Sequence, residues 1–216
     1  MILADKSINK YKKRSVSILK RGETISVLFA GVGGQGILLA TGLMARACLF
    51  EGFDVKVSEV HGMAQRGGSV VGSIRFGKKV FSPTVDHADY IIALEEVESL
   101  RCLDNLKKES IFIYNTYRIF PSTVYGGDYS YPDNVRELLS EFTPDVFPVD
   151  AFEIARRLGK SKTMNTVLLG FFSNFLPIST DSWENAIKDI IPSAIIEINL
   201  NAFMAGRNLI NNFREV

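Results

Sequence analysis

An α/β fold is the prediction: three layers, a mixed but mostly parallel sheet, and a helical C-terminal third. Three observations carry it. Apolar runs without polar alternation recur at Val27 to Ala30, Asp89 to Leu94 and Ser110 to Asn115, as strands buried on both faces require. Segments with apolar residues at helical spacing alternate with those runs, so strands and helices follow one another. From Asn165 onward the helical patterns continue without a strand between them. The 216 residues, 46% hydrophobic and 23% charged, suffice for one globular domain with a sizeable core.

The bulk numbers also exclude some functions. Net charge is +1, so no global field points to nucleic acid or to an anionic membrane, and neither is expected as a partner. Cys48 and Cys102 are the only cysteines, each inside a helical pattern. Two thiols cannot supply the ligands of a cysteine-bound iron–sulfur cluster or zinc ribbon within this chain. They read as small core residues. No apolar run approaches the ~20 residues of a bilayer span, and the N-terminus lacks an apolar signal core. A cytoplasmic location is therefore expected.

In chain order, residues 1–24 come first, with Lys6, Lys10, Lys12, Lys13, Arg14, Lys20 and Arg21 set against Asp5 and Glu23. A basic arm can grip nucleic acid or an acidic partner. Ile18 and Leu19 are too few for a core, so a mobile or loosely docked leader is expected, with the folded domain over residues 25–211. Ile25 to Gly36 then joins a buried strand to a glycine cluster. Gly31, Gly33 and Gly36 stand at G-x-G-x-x-G spacing. Between a strand and a helix, such glycines permit a tight turn, close approach to a phosphate, and close helix–strand packing. The helix N–H groups beyond them favour an anion.

Ile37, Leu38, Met44, Ala45, Cys48 and Leu49 continue as a helix that Gly52 stops. Asp54 to Val60 alternates as a second strand, so residues 25–60 read as a complete right-handed βαβ unit of Rossmann-like type. In dinucleotide-binding versions an acidic residue ~20 positions past the glycines holds a ribose. Glu59 is the only candidate here, and it comes late. The strand runs into His61-Gly62-Met63-Ala64-Gln65-Arg66-Gly67-Gly68, which sets an imidazole, an amide and a guanidinium at what should be the carboxyl end of a strand. Ligands of open α/β sheets bind at that edge. Arg66 can make a bidentate contact with phosphate or carboxylate, and His61 can titrate near neutral pH. Both can equally hold a long loop in place.

Ser69 to Phe76 reads as a third strand, with a turn at Gly77-Lys78 and a return strand at Lys79 to Phe81. Glu95, Glu96 and Glu98 open a helix after the Asp89 to Leu94 strand, where acidic residues suit the dipole. Further strands are expected at Ser110 to Asn115 and Asp145 to Val149, and a helix at about residues 133–142. Asp150 with Glu153, and Asp181 with Glu184, have capping-box spacing. Helices are expected over residues 165–176, closed by Pro177, and about 195–211.

The GVGGQG turn and the SEVHGMAQRGGSV loop together resemble the gamma-type domain of the 2-oxoacid:ferredoxin oxidoreductases, in particular the beta subunits of the indolepyruvate enzymes. The resemblance extends through Phe81-Ser82-Pro83, DYIIALEEVESLR, Tyr114-Asn115-Thr116, Val149-Asp150-Ala151 and the segment from Asn165 to Phe172. It implies a subunit, inactive alone, of an enzyme that oxidatively decarboxylates an aryl 2-oxoacid to an acyl-CoA and passes electrons to ferredoxin. Thiamine diphosphate, Mg and iron–sulfur clusters would belong to a larger alpha subunit, with coenzyme A as a candidate ligand shared between the two. Gly33, Gly34, Gln35 and Gly36 would offer backbone donors to a phosphate or to the partner. His61, Gln65 and Arg66 would shape the shared site, and Gly67 and Gly68 would allow close backbone approach. The competing readings are a self-contained oxidoreductase binding NAD or flavin at Gly31 to Gly36, and a non-enzymatic nucleotide sensor.

Overall fold

The computed structural model describes residues 3–61, 68–120 and 130–214. Helix α1 (Leu3–Lys20) precedes strand β1 (Ile25–Val32), helix α2 (Ile37–Phe50), β2 (Asp54–His61), β3 (Ser69–Gly77) and β4 (Ala88–Ala93). Then come α3 (Glu96–Leu100), β5 (Leu106–Asn115), α4 (Val135–Ser140), β6 (Val146–Val149) and α5 (Ala151–Arg157). Helices α6 (Met164–Phe172), α7 (Thr180–Ile190) and α8 (Ile196–Asn208) make the helical C-terminal third. Among the described residues, no helix is long and apolar enough to cross a membrane.

Six strands form one mixed sheet in the order β2-β3-β1-β4-β5-β6. Strands β1, β4, β5 and β6 are mutually parallel, and β3 is antiparallel to both β1 and β2. Alternation along β1 divides the core. Val27 and Phe29 pack with residues of α2, α6 and α8, while Leu28 and Ala30 pack on the other face with Leu139 and Cys102. Both faces are covered, as the absence of polar alternation in β1 demands.

The expected βαβ unit forms, with β2 parallel to β1 because β3 runs antiparallel to both, but its two strands are not neighbours. β2 does not lie beside β1, because β3 occupies the place between them. Residues 62–68 are too few for a crossover helix, so β2 and β3 pair antiparallel as neighbours. The return strand expected at Lys79 to Phe81 does not form. Instead the Val80 N–H donates to the Asp54 carboxylate at 2.9 Å, a side-chain tie in place of a ladder. The expected box at Asp150 caps α5 by accepting from Glu153 N at 3.2 Å. At α7 the cap is Ser179, accepting from Ser182 N, and Asp181 lies within the first turn.

Residues 3–20 are helical and docked, not a loose leader. Tyr11 and Ile18 are buried, and so is Ser15. Ser15 donates to the Phe175 carbonyl at 3.0 Å and lies 2.5 Å from the Tyr90 hydroxyl. Tyr11 donates to Asp145, and Arg14 lies 3.8 Å from Asp89. The buried stripe 11-15-18 is narrow and half polar, and its bonding partners are residues far away in sequence. In the C-terminal layer, α6 and α8 cross in backbone contact. A Cβ on Gly170 would strike the Phe203 carbonyl, and one on Gly206 the Val167 carbonyl.

Candidate functional site

Four parallel strands place the carboxyl ends of β1, β4, β5 and β6 at one edge of the sheet. From β1 the chain enters α2 on one face, and from β4 it enters α3 on the other. The crevice between β1 and β4 is therefore the switch point at which open α/β sheets bind ligands.

Here that crevice is filled by the chain itself. The Gln35 side chain is buried and spans it: Oε1 accepts from Val32 N at 2.7 Å, and Nε2 donates to the Leu94 carbonyl at 3.1 Å. The missing side chain of Gly31 makes room, since a Cβ there would come 2.7 Å from Gln35 Oε1. Asn115 extends the amide chain. Its Nδ2 donates to the same Leu94 carbonyl at 3.2 Å, and its Oδ1 accepts from Ala151 N at 3.1 Å at the start of α5. Gly36 caps α2 in a left-handed conformation, φ 82°, that favours glycine. Its carbonyl accepts from Asn165 Nδ2 at 3.2 Å.

Two of the four backbone donors expected to face a ligand are engaged internally. Gly33 N donates to the Gly68 carbonyl at 2.8 Å, and Gln35 N to the Val32 carbonyl at 3.1 Å. The first of these bonds joins the two stretches that the sequence singles out. Register aligns them further, since His61 and Gly31 both pair with Val70 from opposite sides. Of His61 the backbone alone is described. Gln65, Arg66 and Gly67 lie outside the described residues. Glu59 is exposed and accepts from Thr41 Oγ1 at 3.1 Å. It stands two strands, or about 10 Å, from β1, so it does not reach the glycine turn as a ribose-binding residue would.

Ser69 continues the junction by donating to Glu98 Oε2 at 2.5 Å. The Glu98 carboxyl is pushed above the usual carboxylate range, first by burial and further by Glu95; Ser69 and Arg101 oppose the shift. Glu95 is fully buried and caps α3 by accepting from Glu98 N at 2.9 Å. It also accepts from Ile119 N at 2.9 Å and from the Tyr131 hydroxyl at 2.7 Å. The carboxylates after β4 thus hold chain segments together. Cys48 and Cys102 are buried on opposite faces of the sheet. Among the described residues, no group of three or more His, Cys, Asp or Glu is placed to hold a metal ion.

Sequence reasoning missed Asn115, Asn165 and Glu95 as site-building residues. The available signal was a polar residue at one end of an otherwise apolar run: Glu95 after it, Asn115 closing it, Asn165 just ahead of it. Such a residue is tolerated in a core only when its hydrogen bonds are filled.

Residues 26–209 match the family model described as pyruvate ferredoxin/flavodoxin oxidoreductase. The chain belongs to that family. Within it, the indolepyruvate oxidoreductase subunit IorB of Archaeoglobus fulgidus is 39% identical over 190 residues, covering 85% of this chain and 94% of that subunit. The IorB of Thermococcus kodakarensis is 37% identical over 188 residues, covering 84% and 93%. Two solved structures share the family fold. The gamma subunit of a keto/oxoacid ferredoxin oxidoreductase from Geobacter sulfurreducens superposes with a TM-score of 0.65 at 21% identity, covering 87% of this chain and 99% of that one. A 2-oxoglutarate:ferredoxin oxidoreductase from Magnetococcus marinus, solved with 2-oxoglutarate, coenzyme A and succinyl-CoA bound, gives a TM-score of 0.71 at 22% identity. This family member spans 31% of that longer chain and is matched over 88% of its own length.

Proposed function

We propose that this chain is the small subunit of a 2-oxoacid:ferredoxin oxidoreductase of the indolepyruvate type, inactive until joined to a large subunit. The observation that carries the reading is the extent of the match to IorB subunits, over 84–85% of this chain and 93–95% of theirs. The cysteines of this chain support the division of labour. Two cysteines on opposite faces cannot share an iron–sulfur cluster. Thiamine diphosphate, Mg and the clusters are accordingly assigned to the large subunit, which supplies the redox chemistry. This chain contributes the edge built by Gly33, Gly34, Gln35 and Gly36 with His61, Gln65, Arg66, Gly67 and Gly68, and coenzyme A is assigned to the space that edge shares with its partner. The Gln35 bridge weighs against a self-contained NAD or flavin enzyme, because the crevice a dinucleotide would enter is already closed.

Co-expression with the large subunit tests the proposal, assaying indolepyruvate, phenylpyruvate and pyruvate with a ferredoxin as acceptor. Activity is expected in the pair and in neither chain alone, with indolepyruvate preferred. Turnover by the lone chain, or NADH binding to it by fluorescence titration, would overturn the reading. In the active pair, Arg66→Ala should lower turnover at least tenfold, while the isolated chain keeps its thermal midpoint. Unchanged turnover would make Arg66 a purely structural residue.

A further inference from the structure

Glu95 does more than cap a helix. Burying a carboxylate is costly unless its oxygens are filled, and here two of its three donors, Ile119 N and the Tyr131 hydroxyl, come from chain outside α3. Two neighbouring bonds add to the fastening: Glu96 N donates to the Tyr117 carbonyl at 3.1 Å, and Val97 N to the Tyr131 hydroxyl at 3.0 Å. Together they fix three side chains relative to one another. The Phe120 and Tyr131 rings pack with centroids 5.0 Å apart. The Arg118 guanidinium lies 5.1 Å from the Tyr131 centroid, while pairing with Glu96 and, at 2.9 Å, with Asp133. Phe120 is nonetheless 41% exposed, and the Asp133 side chain is 88% exposed.

A preorganised Phe, Tyr and Arg left partly exposed has the composition of a protein-interface anchor, and its rigidity lowers the entropy lost on association. The two rings are packed on each other, so no slot stands open between them for a flat small ligand. Position matters as well. Glu95 directly follows Leu94, whose carbonyl receives Gln35 and Asn115, so the patch adjoins the carboxyl edge that carries the proposed site.

We propose that Arg118, Phe120 and Tyr131 form the docking patch for the large subunit, an inference that rests on the function proposed above. With Glu96 and Asp133 beside a single Arg118, the patch carries a net negative charge. The surface that fits it is an apolar pocket for Phe120, with a Lys or Arg at the rim opposite Asp133. The competing anchor on this chain is Phe81, 89% exposed. It lies near the start of β2, towards the other end of the sheet.

The test is the dissociation constant of the full chain with the large subunit by calorimetry, for wild type, Phe120→Ser, Asp133→Lys and Phe81→Ser. Phe120→Ser and Asp133→Lys should each weaken association at least tenfold, with Phe81→Ser within twofold of wild type. Asp133 is a surface residue, so its variant keeps the test valid should Phe120→Ser fail to fold. If wild type binds and both patch variants bind within twofold of it, the docking patch is wrong and the proposed function stands. Loss of binding in Phe81→Ser alone also overturns the patch, by moving the interface to the other end. If wild type does not bind the large subunit at all, both readings fall.

Discussion

Removing the Gln35 side chain is the sharpest test of how the carboxyl edge is built. In Gln35→Ala, Val32 N–H loses its acceptor at 2.7 Å and the Leu94 carbonyl loses a donor at 3.1 Å. The two losses are unequal. Leu94 keeps the Asn115 amide at 3.2 Å, so that side costs ~1 kcal/mol, whereas the partly buried Val32 donor left without a partner costs ~1–3 kcal/mol. The sum is ~2–4 kcal/mol, which for a chain of this size lowers the thermal midpoint by roughly 4–16 °C. Gln35→Glu separates hydrogen bonding from volume. One carboxylate oxygen can still accept from Val32, but the other faces the Leu94 carbonyl, lone pair against lone pair, until it is protonated. Burial and that repulsion raise the folded pKa of the introduced carboxyl. Its cost is therefore absent below the unfolded value of ~4.3 and grows as pH rises through the folded value. Circular dichroism melts of both variants between about pH 4 and pH 8 would read this out. A Gln35→Ala midpoint within about 1 °C of wild type, or a Gln35→Glu variant with no recovery at acid pH, would refute the bridge as a stabilising element.

Three further outcomes follow from the packing and the buried groups. Gly206→Ala should destabilise by ~3 kcal/mol, the upper range for overpacking, because its methyl meets the Val167 carbonyl. Gly42→Ala, inside α2 with only the Ile190 side chain 4.0 Å away, should stabilise by up to ~1 kcal/mol; denaturant titration compares the pair, and equal effects would contradict the crossing. Glu98 has a folded pKa raised chiefly by burial, so its contribution is full below ~pH 4.3 and declines as pH rises through the folded value. Glu98→Gln should therefore gain on wild type in thermal midpoint as pH rises towards neutrality, and a difference independent of pH would count against it. Burial pushes the Cys102 thiol up to about 12 and raises Cys48 as well. A thiol reagent at neutral pH should label both only on unfolding, and rapid labelling of the folded chain would show the burial to be wrong.

Some of this is legible in the sequence alone. Val27 to Ala30 lack polar alternation, and a strand of that kind must be covered on both faces, which fixes a three-layer arrangement. The glycine spacing, with a strand before it and a helix after it, located the turn. The His61 to Gly68 loop carried the family resemblance. These are local signals, because periodicity and backbone permissiveness belong to neighbours in sequence.

Tertiary structure decided what those local signals could not. Whether β2 pairs with β1 depends on which strand competes for the place between them, and β3 takes it through a short connection. Whether a basic leader docks depends on Tyr11 and Ser15 finding Asp145, Tyr90 and Phe175, partners up to 160 residues away. The same holds at the edge that carries the proposed site. Sequence alone determined that a glycine turn would stand at the end of β1. Only the folded chain decided that the turn would be closed by its own Gln35, because that closure is made by a hydrogen bond to the Leu94 carbonyl, brought in by another strand and shared with Asn115.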